Sequence, residues 1–173
     1  AEATPVLGIY LRDPSEGWFS GVSSSALAVT QYFGTVEGSG YLKIIHADIF
    51  INSAIHNFSM NQVGGAYHLP TVILHELGHF LGLSHTSAFA DVMYPSLAQN
   101  SNKSNLSSGD RSAIVNLYEG SSSVSSMNAQ GFIVGHQSTG VDEDEKPVYR
   151  GVIELHASGV CKHYLNGELT HQH

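Results

Sequence analysis

The chain has 173 residues, enough for one domain with a hydrophobic core and too few for two full-sized ones. Seven Lys+Arg stand against 15 Asp+Glu, a formal charge of −8 with no basic cluster, which removes the electrostatic footprint that nucleic-acid binding needs. Only 13% of residues are charged, and no apolar run approaches the roughly 18 residues of a membrane span, so neither a disordered nor a transmembrane chain fits.

Up to about residue 66 the signals are β. TPVLGIYLR, ALAVTQYF and YLKIIHADIFI are rich in β-branched and aromatic residues and are separated by PSEG and VEGSG, which predicts three strands. From Pro70 the period changes: Val72, Ile73, Leu74, Leu77, Phe80 and Leu81 recur at three and four residues. Pro70 suits a first helical turn and Gly82 a left-handed stop, so a buried helix of about three turns is expected. Turn chemistry fills residues 83 to 106, and Ser107 with Asp110 caps a second helix, whose apolar stripe is Ile114, Val115, Leu117 and Tyr118 and which ends at Gly120. The serines of 121–126 read as a linker. Strand signals return in GFIVGHQ, PVYRGVIELHA and GVCKHYL, the last leading through an Asn166-Gly167 hairpin turn into ELTHQH. The acidic run at 142–145 reads as a solvated loop. The expected division is residues 1–120, a linker at 121–128 and a β-rich extension at 129–173.

The helix carries the chemistry. His75 and His79 are four residues apart and project from one face, close enough for both imidazoles to bind one ion. Gly82 permits a sharp reversal that brings His85 back toward the same point. Three protein ligands leave a fourth position open, as a catalytic zinc requires and a structural zinc does not. Glu76 is outside the ligand set and beside it, placed to take a proton from a metal-bound water. The five fixed positions of this pattern would arise by chance in roughly 2 of 10,000 shuffled sequences of this composition, so capped or core histidines are a poor explanation.

His75-Glu76-Leu77-Gly78-His79-Phe80-Leu81-Gly82-Leu83-Ser84-His85, followed by Met93, resembles the long zinc motif and Met-turn of the metzincin metallopeptidases. Within that clan the chain is most similar to the matrixins, and it looks like a bacterial-type member. Thr86 resembles the Ser or Thr found there, Asp91 to Pro95 the Met-turn and the start of the specificity loop, and Leu106 to Tyr118 the C-terminal helix. Ala47 to Asn52 resembles the third strand, and Gly65 to Leu69 the approach to the active-site helix. The resemblance implies an α+β catalytic domain with a twisted mixed sheet, followed here by the β-rich extension. It implies one zinc on His75, His79 and His85, Glu76 as general base and acid, and Met93 as an apolar floor. Tyr94, Pro95, Ser96 and Leu97 would wall the pocket for the side chain after the scissile bond, with an apolar preference. A strand within 56–67 would offer its edge to an extended protein or peptide substrate. A secreted or extracytoplasmic location is implied by the family.

The sequence departs from the matrixin pattern in three places. Between Asn52 and Tyr67 there is His56 and no carboxylate, so a structural zinc or calcium is not expected, and His46, His56 and His68 read as structural or surface residues. Residues 1–24 show no 3.6-residue period for the long helix that matrixins place before their second strand. The tail matches no part of a matrixin catalytic domain and contains the single cysteine, Cys161. That thiol, beside Lys162, or a tail histidine such as His171 or His173, is a candidate to occupy the open zinc position and hold the enzyme latent; a small apolar residue in an accessory strand is the competing reading. The expected function is a zinc-dependent endopeptidase. The alternatives are a non-catalytic zinc- or peptide-binding module and an enzyme inhibited by its own C-terminal segment; the intact Glu76 argues against the first.

Overall fold

A computed structural model of the chain describes residues 8–36, 42–61, 63–119, 140–141 and 146–172. Its strands are β1 (Gly8–Leu11), β2 (Ala26–Val36), β3 (Leu42–Ile51), β4 (Phe58–Ser59), β5 (Tyr67–His68), β6 (Gly140–Val141), β7 (Pro147–His156), β8 (Cys161–Leu165) and β9 (Glu168–Gln172). The helices are α1 (Leu69–Phe80) and α2 (Ser108–Glu119). The main sheet runs β1-β3-β2-β7-β8-β9, with β6 added on β7; β1 is parallel to β3 and the other pairings are antiparallel. This is an α+β fold with a mixed sheet.

Strand β2 is central because both of its edges are filled. It pairs with β3 from Ala28 to Val36 and with β7 from Ala26 to Thr35. A strand covered on both faces reads as a nearly continuous apolar run, as ALAVTQYF does. The strands after the serine run are therefore not a module set apart, as an extension beside residues 1–120 would be: β7 lies between β2 and β8 in the same sheet. Strand pairing is set by contacts distant in sequence, and nothing local in PVYRGVIELHA announces β2 as its partner. The expected linker at 121–128, the strand at GFIVGHQ and the acidic loop at 142–145 lie outside the described residues. Among the described residues of the segment expected to offer a substrate edge are β4 and the start of β5, a two-residue parallel pairing separate from the main sheet.

Helix α1 lies on one face of the sheet. Val72 packs there with Leu27, Ile49, Ile51, Leu97 and Leu155. Each such aliphatic side chain removed from water stabilises the fold by about 1.5–3 kcal/mol, enough to hold an otherwise short helix in place. Ala26, Val29 and Val152 form a second cluster with Trp18, Val22 and Tyr164. The alternation of β7 assigns it to the opposite face, since Val152 lies between Gly151 and Ile153.

Candidate metal centre

The end of α1 is built to reverse the chain. Leu81 is the C-cap, and Gly82 adopts φ +88°, a left-handed conformation that only glycine reaches without strain. The Gly82 N–H donates to the His79 carbonyl and the Leu83 N–H to the Gly78 carbonyl, both at 2.9 Å, the paired bonds of a Schellman motif. His85 then returns to the helix: its ring centroid lies 4.6 Å from that of His79 and 5.3 Å from that of His75.

Hydrogen bonds on the outer nitrogens aim the inner ones. His75 Nδ1 lies 2.8 Å from the Val92 carbonyl and His79 Nδ1 lies 2.9 Å from the Leu83 carbonyl. A carbonyl only accepts, so both Nδ1 atoms carry the proton and both Nε2 atoms present a lone pair. The Nε2 atom of His79 is 3.1 Å from that of His75 and 3.0 Å from that of His85. The lone pairs of His75 and His79, both acceptors and 3.1 Å apart, repel one another unless a cation sits between them. Tetrahedral zinc with Zn–N bonds of about 2.0–2.1 Å would need its nitrogens about 3.3 Å apart, so the imidazoles fit that ion. Burial pushes the His75 imidazole down to about 4 and, aided by the positive charge His75, His85 and His163 would carry if protonated, pushes His79 well below its ordinary value. Neutral rings are the form that binds metal.

Glu76 projects from the same helix into the sheet and is fully buried. Its Oε2 accepts a hydrogen bond from the Thr30 hydroxyl on β2. Its Oε1 is buried and has no hydrogen-bond partner among the described residues, an acceptor oriented for a donor the protein does not supply. Burial raises the carboxyl to about 8, partly opposed by the Thr30 bond; a divalent cation nearby would favour the charged form and draw it back down.

Met93 lies directly against α1. A Cβ on Gly78 would meet its Sδ at 2.1 Å, so the helix carries a glycine where the methionine packs. Asp110 anchors the turn before it, accepting from the Val92 and Met93 N–H groups at 2.9 and 3.2 Å and from the Ser107 N–H at 2.9 Å. The same bonds fix the Val92 carbonyl that orients His75. Of the residues expected to wall a substrate pocket, Tyr94, Pro95 and Ser96 are half-buried, with Tyr94 edge-on to Phe89. Leu97 is buried with Leu27, Ile49 and Val72, because the loop dips back into the sheet–helix interface at that point.

The tail reaches this centre. Cys161 Sγ joins ligand atoms of His75, His79 and His85 in one group whose members all lie within 4.8 Å of one another. Cys161 has no solvent exposure, and burial, with the negative charges of Glu76 and Glu154, pushes its thiol well above the ordinary value. His163, two residues along β8, places its Nε2 3.4 Å from His85 Nδ1. Gly159, in the turn before β8, sits against Ser96. His171 pairs with His163 in the β8–β9 ladder, and His173 lies outside the described residues. The other histidines have different partners: His46 bonds Asp48, His56 the Ser24 carbonyl, and His68 Thr71 and the Met60 carbonyl.

The sequence model of the family described as Matrixin matches residues 13–119. The chain belongs to the matrixin family. It is 43% identical over 58 residues to metalloendoproteinase 1 of Glycine max, covering 34% of this chain and 19% of the soybean protein. It is also 43% identical over 53 residues to metalloendoproteinase 1-MMP of Arabidopsis thaliana, covering 31% of this chain and 15% of that protein. A third relative, metalloendoproteinase 4-MMP of Arabidopsis thaliana, is 39% identical over 62 residues, 36% of this chain and 18% of its own length. The chain thus spans less than a fifth of the length of these relatives. These relatives are plant proteins. No solved structure matches.

Thr30 and His163 were not among the residues singled out from the sequence. They are 46 and 78 residues away from Glu76 and His85, the groups they touch, and no spacing pattern links them.

Proposed function

We propose that this matrixin hydrolyses internal peptide bonds with one zinc held by His75, His79 and His85 and with Glu76 as general base and acid. The observation that carries the reading is the convergence of three imidazole Nε2 atoms, at 3.0 and 3.1 Å from that of His79, beside a buried carboxylate with an uncommitted oxygen. Bound there, zinc supplies Lewis acidity that polarises a carbonyl oxygen and makes a water easier to deprotonate. Glu76 Oε1 accepts the proton of the attacking water, while Thr30 holds Oε2, and the same carboxyl returns the proton to the departing amine. The Val92 and Leu83 carbonyls keep the rings of His75 and His79 in one tautomer and orientation throughout. The substrate is a protein or peptide, with Tyr94 and Pro95 near the residue after the cleaved bond. Family membership supports a place outside the cytoplasm; no helix among the described residues is long and apolar enough to cross a membrane.

A second reading is favoured by Cys161. A thiolate in the fourth position would close the site, leaving Glu76 without a water to deprotonate and the enzyme latent. Zinc content and cleavage of a mixed peptide library, measured for the wild type, Glu76→Ala and Cys161→Ala, test both readings. The expected result is one zinc per chain, cleavage in Cys161→Ala at least, and a loss of about 10²–10⁴-fold when Glu76 is removed. Absence of cleavage by both the wild type and Cys161→Ala would leave a zinc- or peptide-binding module.

A further inference from the structure

On the face of β7 turned away from α1, three side chains form a relay that the zinc chemistry does not use. Glu154 Oε2 lies 2.7 Å from His156 Nε2, and His156 Nδ1 lies 2.8 Å from Ser25 Oγ. Glu154 and His156 are two residues apart on one strand and therefore share a face. They are only 2% and 3% exposed, whereas Ser25 is exposed. Tyr164 adds a side-chain hydrogen bond to Glu154.

The backbone fixes this geometry. His156 pairs with Ala26 at the start of β2, where a bulge interrupts the register before Ala28. The Ala157 N–H donates to the Ser25 carbonyl at 2.9 Å, so Ser25 is tied to the end of β7. An ionised carboxylate only accepts, which assigns the Nε2 proton of His156 to Glu154 and leaves Nδ1 to accept from the Ser25 hydroxyl. A hydroxyl, a base within hydrogen-bond reach and a buried acid that orients the base are the three parts of an activated nucleophile.

We propose that Ser25, His156 and Glu154 form a second, metal-independent acyl-transfer site that accepts esters with an apolar acyl group. Ser25 Oγ attacks the ester carbonyl as its proton passes to His156 Nδ1. The carbon–oxygen bond to the alcohol breaks, and the alcohol leaves with that proton. Water then attacks the acyl-serine with His156 again as base, releasing the acid and restoring Ser25. The acyl preference follows from the surroundings: Ala26, Val29 and Val152 pack on this face with Trp18, Val22 and Tyr164, an apolar neighbourhood.

An alkyl fluorophosphonate tests the proposal without relying on zinc. Ser25 Oγ would form a bond to phosphorus, fluoride would leave, and His156 would take the proton. Intact-mass and peptide mapping of the full chain should show one adduct, on Ser25, that is lost in Ser25→Ala and in heat-denatured protein and slowed at least tenfold in Glu154→Gln. As a second measurement, Ser25→Cys should alkylate with iodoacetamide at least tenfold faster than free cysteine at neutral pH. No adduct on the native chain, an adduct that survives Ser25→Ala, or a Ser25→Cys thiol no faster than free cysteine would each overturn the proposal and leave a structural hydrogen-bond network at the end of the strand.

Discussion

Cys161→Ala removes one sulfur atom from a residue with no solvent exposure, at the point where β8 meets the three imidazoles. A buried group the size of a methylene is worth about 0.8 kcal/mol in transfer. A void of roughly 20 Å³, at about 24 cal/mol per Å³, adds about 0.5 kcal/mol. Apo-protein stability should therefore fall by about 1.3 kcal/mol, small against a domain stability of about 5–15 kcal/mol, and the variant should fold. If the sulfur is a zinc ligand, the metal effect is far larger: partners that only orient ligands are worth about 10–100-fold in affinity, so loss of a ligand itself should weaken zinc by more than about 100-fold. Chelator competition measures that affinity, and the cobalt-substituted protein should lose its thiolate-to-metal charge-transfer absorption. Cleavage of the peptide library should rise in the same variant. An unchanged zinc affinity together with an unchanged cobalt spectrum would refute Cys161 as a ligand and leave it as a core residue.

Three further changes test the supports of the site. Gly78→Ala would push a Cβ to 2.1 Å from Met93 Sδ, and because Met93 is buried the repacking should cost about 1–3 kcal/mol, read as a lower midpoint in urea; an unchanged midpoint would mean the methionine swings away freely. Thr30→Val keeps the shape but removes the hydroxyl that holds Glu76 Oε2, so kcat should fall about tenfold or more with little change in zinc content; an equal kcat would show that Glu76 does not need this anchor. Burial alone would raise the Asp110 carboxyl, but bonds from Val92, Ser107 and Met93 prevail and hold it below its ordinary value. A depressed carboxyl stabilises the fold above its unfolded value of about 3.9, and that contribution is lost as pH falls through the lower folded value. Stability of the wild type should thus drop more steeply than that of Asp110→Asn below about pH 4, and parallel curves would contradict the anchoring role.

The helix and its chemistry were legible because they are local. Pro70, the three- and four-residue apolar spacing and Gly82 specify where α1 starts, which face is buried and where it ends, and His75, Glu76 and His79 ride on that period. His85 was legible because a glycine reversal is a local event with a known geometry. What lay beyond reach was everything settled by pairing. The position of β7 beside β2 depends on nine register pairs separated by more than 100 residues, and a strand pattern specifies a strand without naming its neighbour. His163 reaches the site through that pairing, whereas Thr30 and Leu97 depend on the equally non-local packing of α1 and the following loop on the sheet: Thr30 meets Glu76, and Leu97 returns to Leu27 and Ile49.

The same pairing constrains how a thiol on β8 would behave at the zinc. An inhibitory segment outside the catalytic fold can leave by breaking a few contacts. Cys161 instead begins β8, paired with Leu155 of β7, and the residues that follow it, Lys162 to Leu165, are held between β7 and β9. Withdrawing the sulfur by moving the strand means opening both ladders and exposing Leu165, which is fully buried. Every 1.4 kcal/mol of that cost lowers the open population tenfold. If Cys161 closes the site, release therefore proceeds more readily by changing the sulfur, through alkylation or oxidation, than by moving β8. The buried position slows either reaction until zinc leaves or the hairpin frays, which couples activation to local opening of β8 and β9.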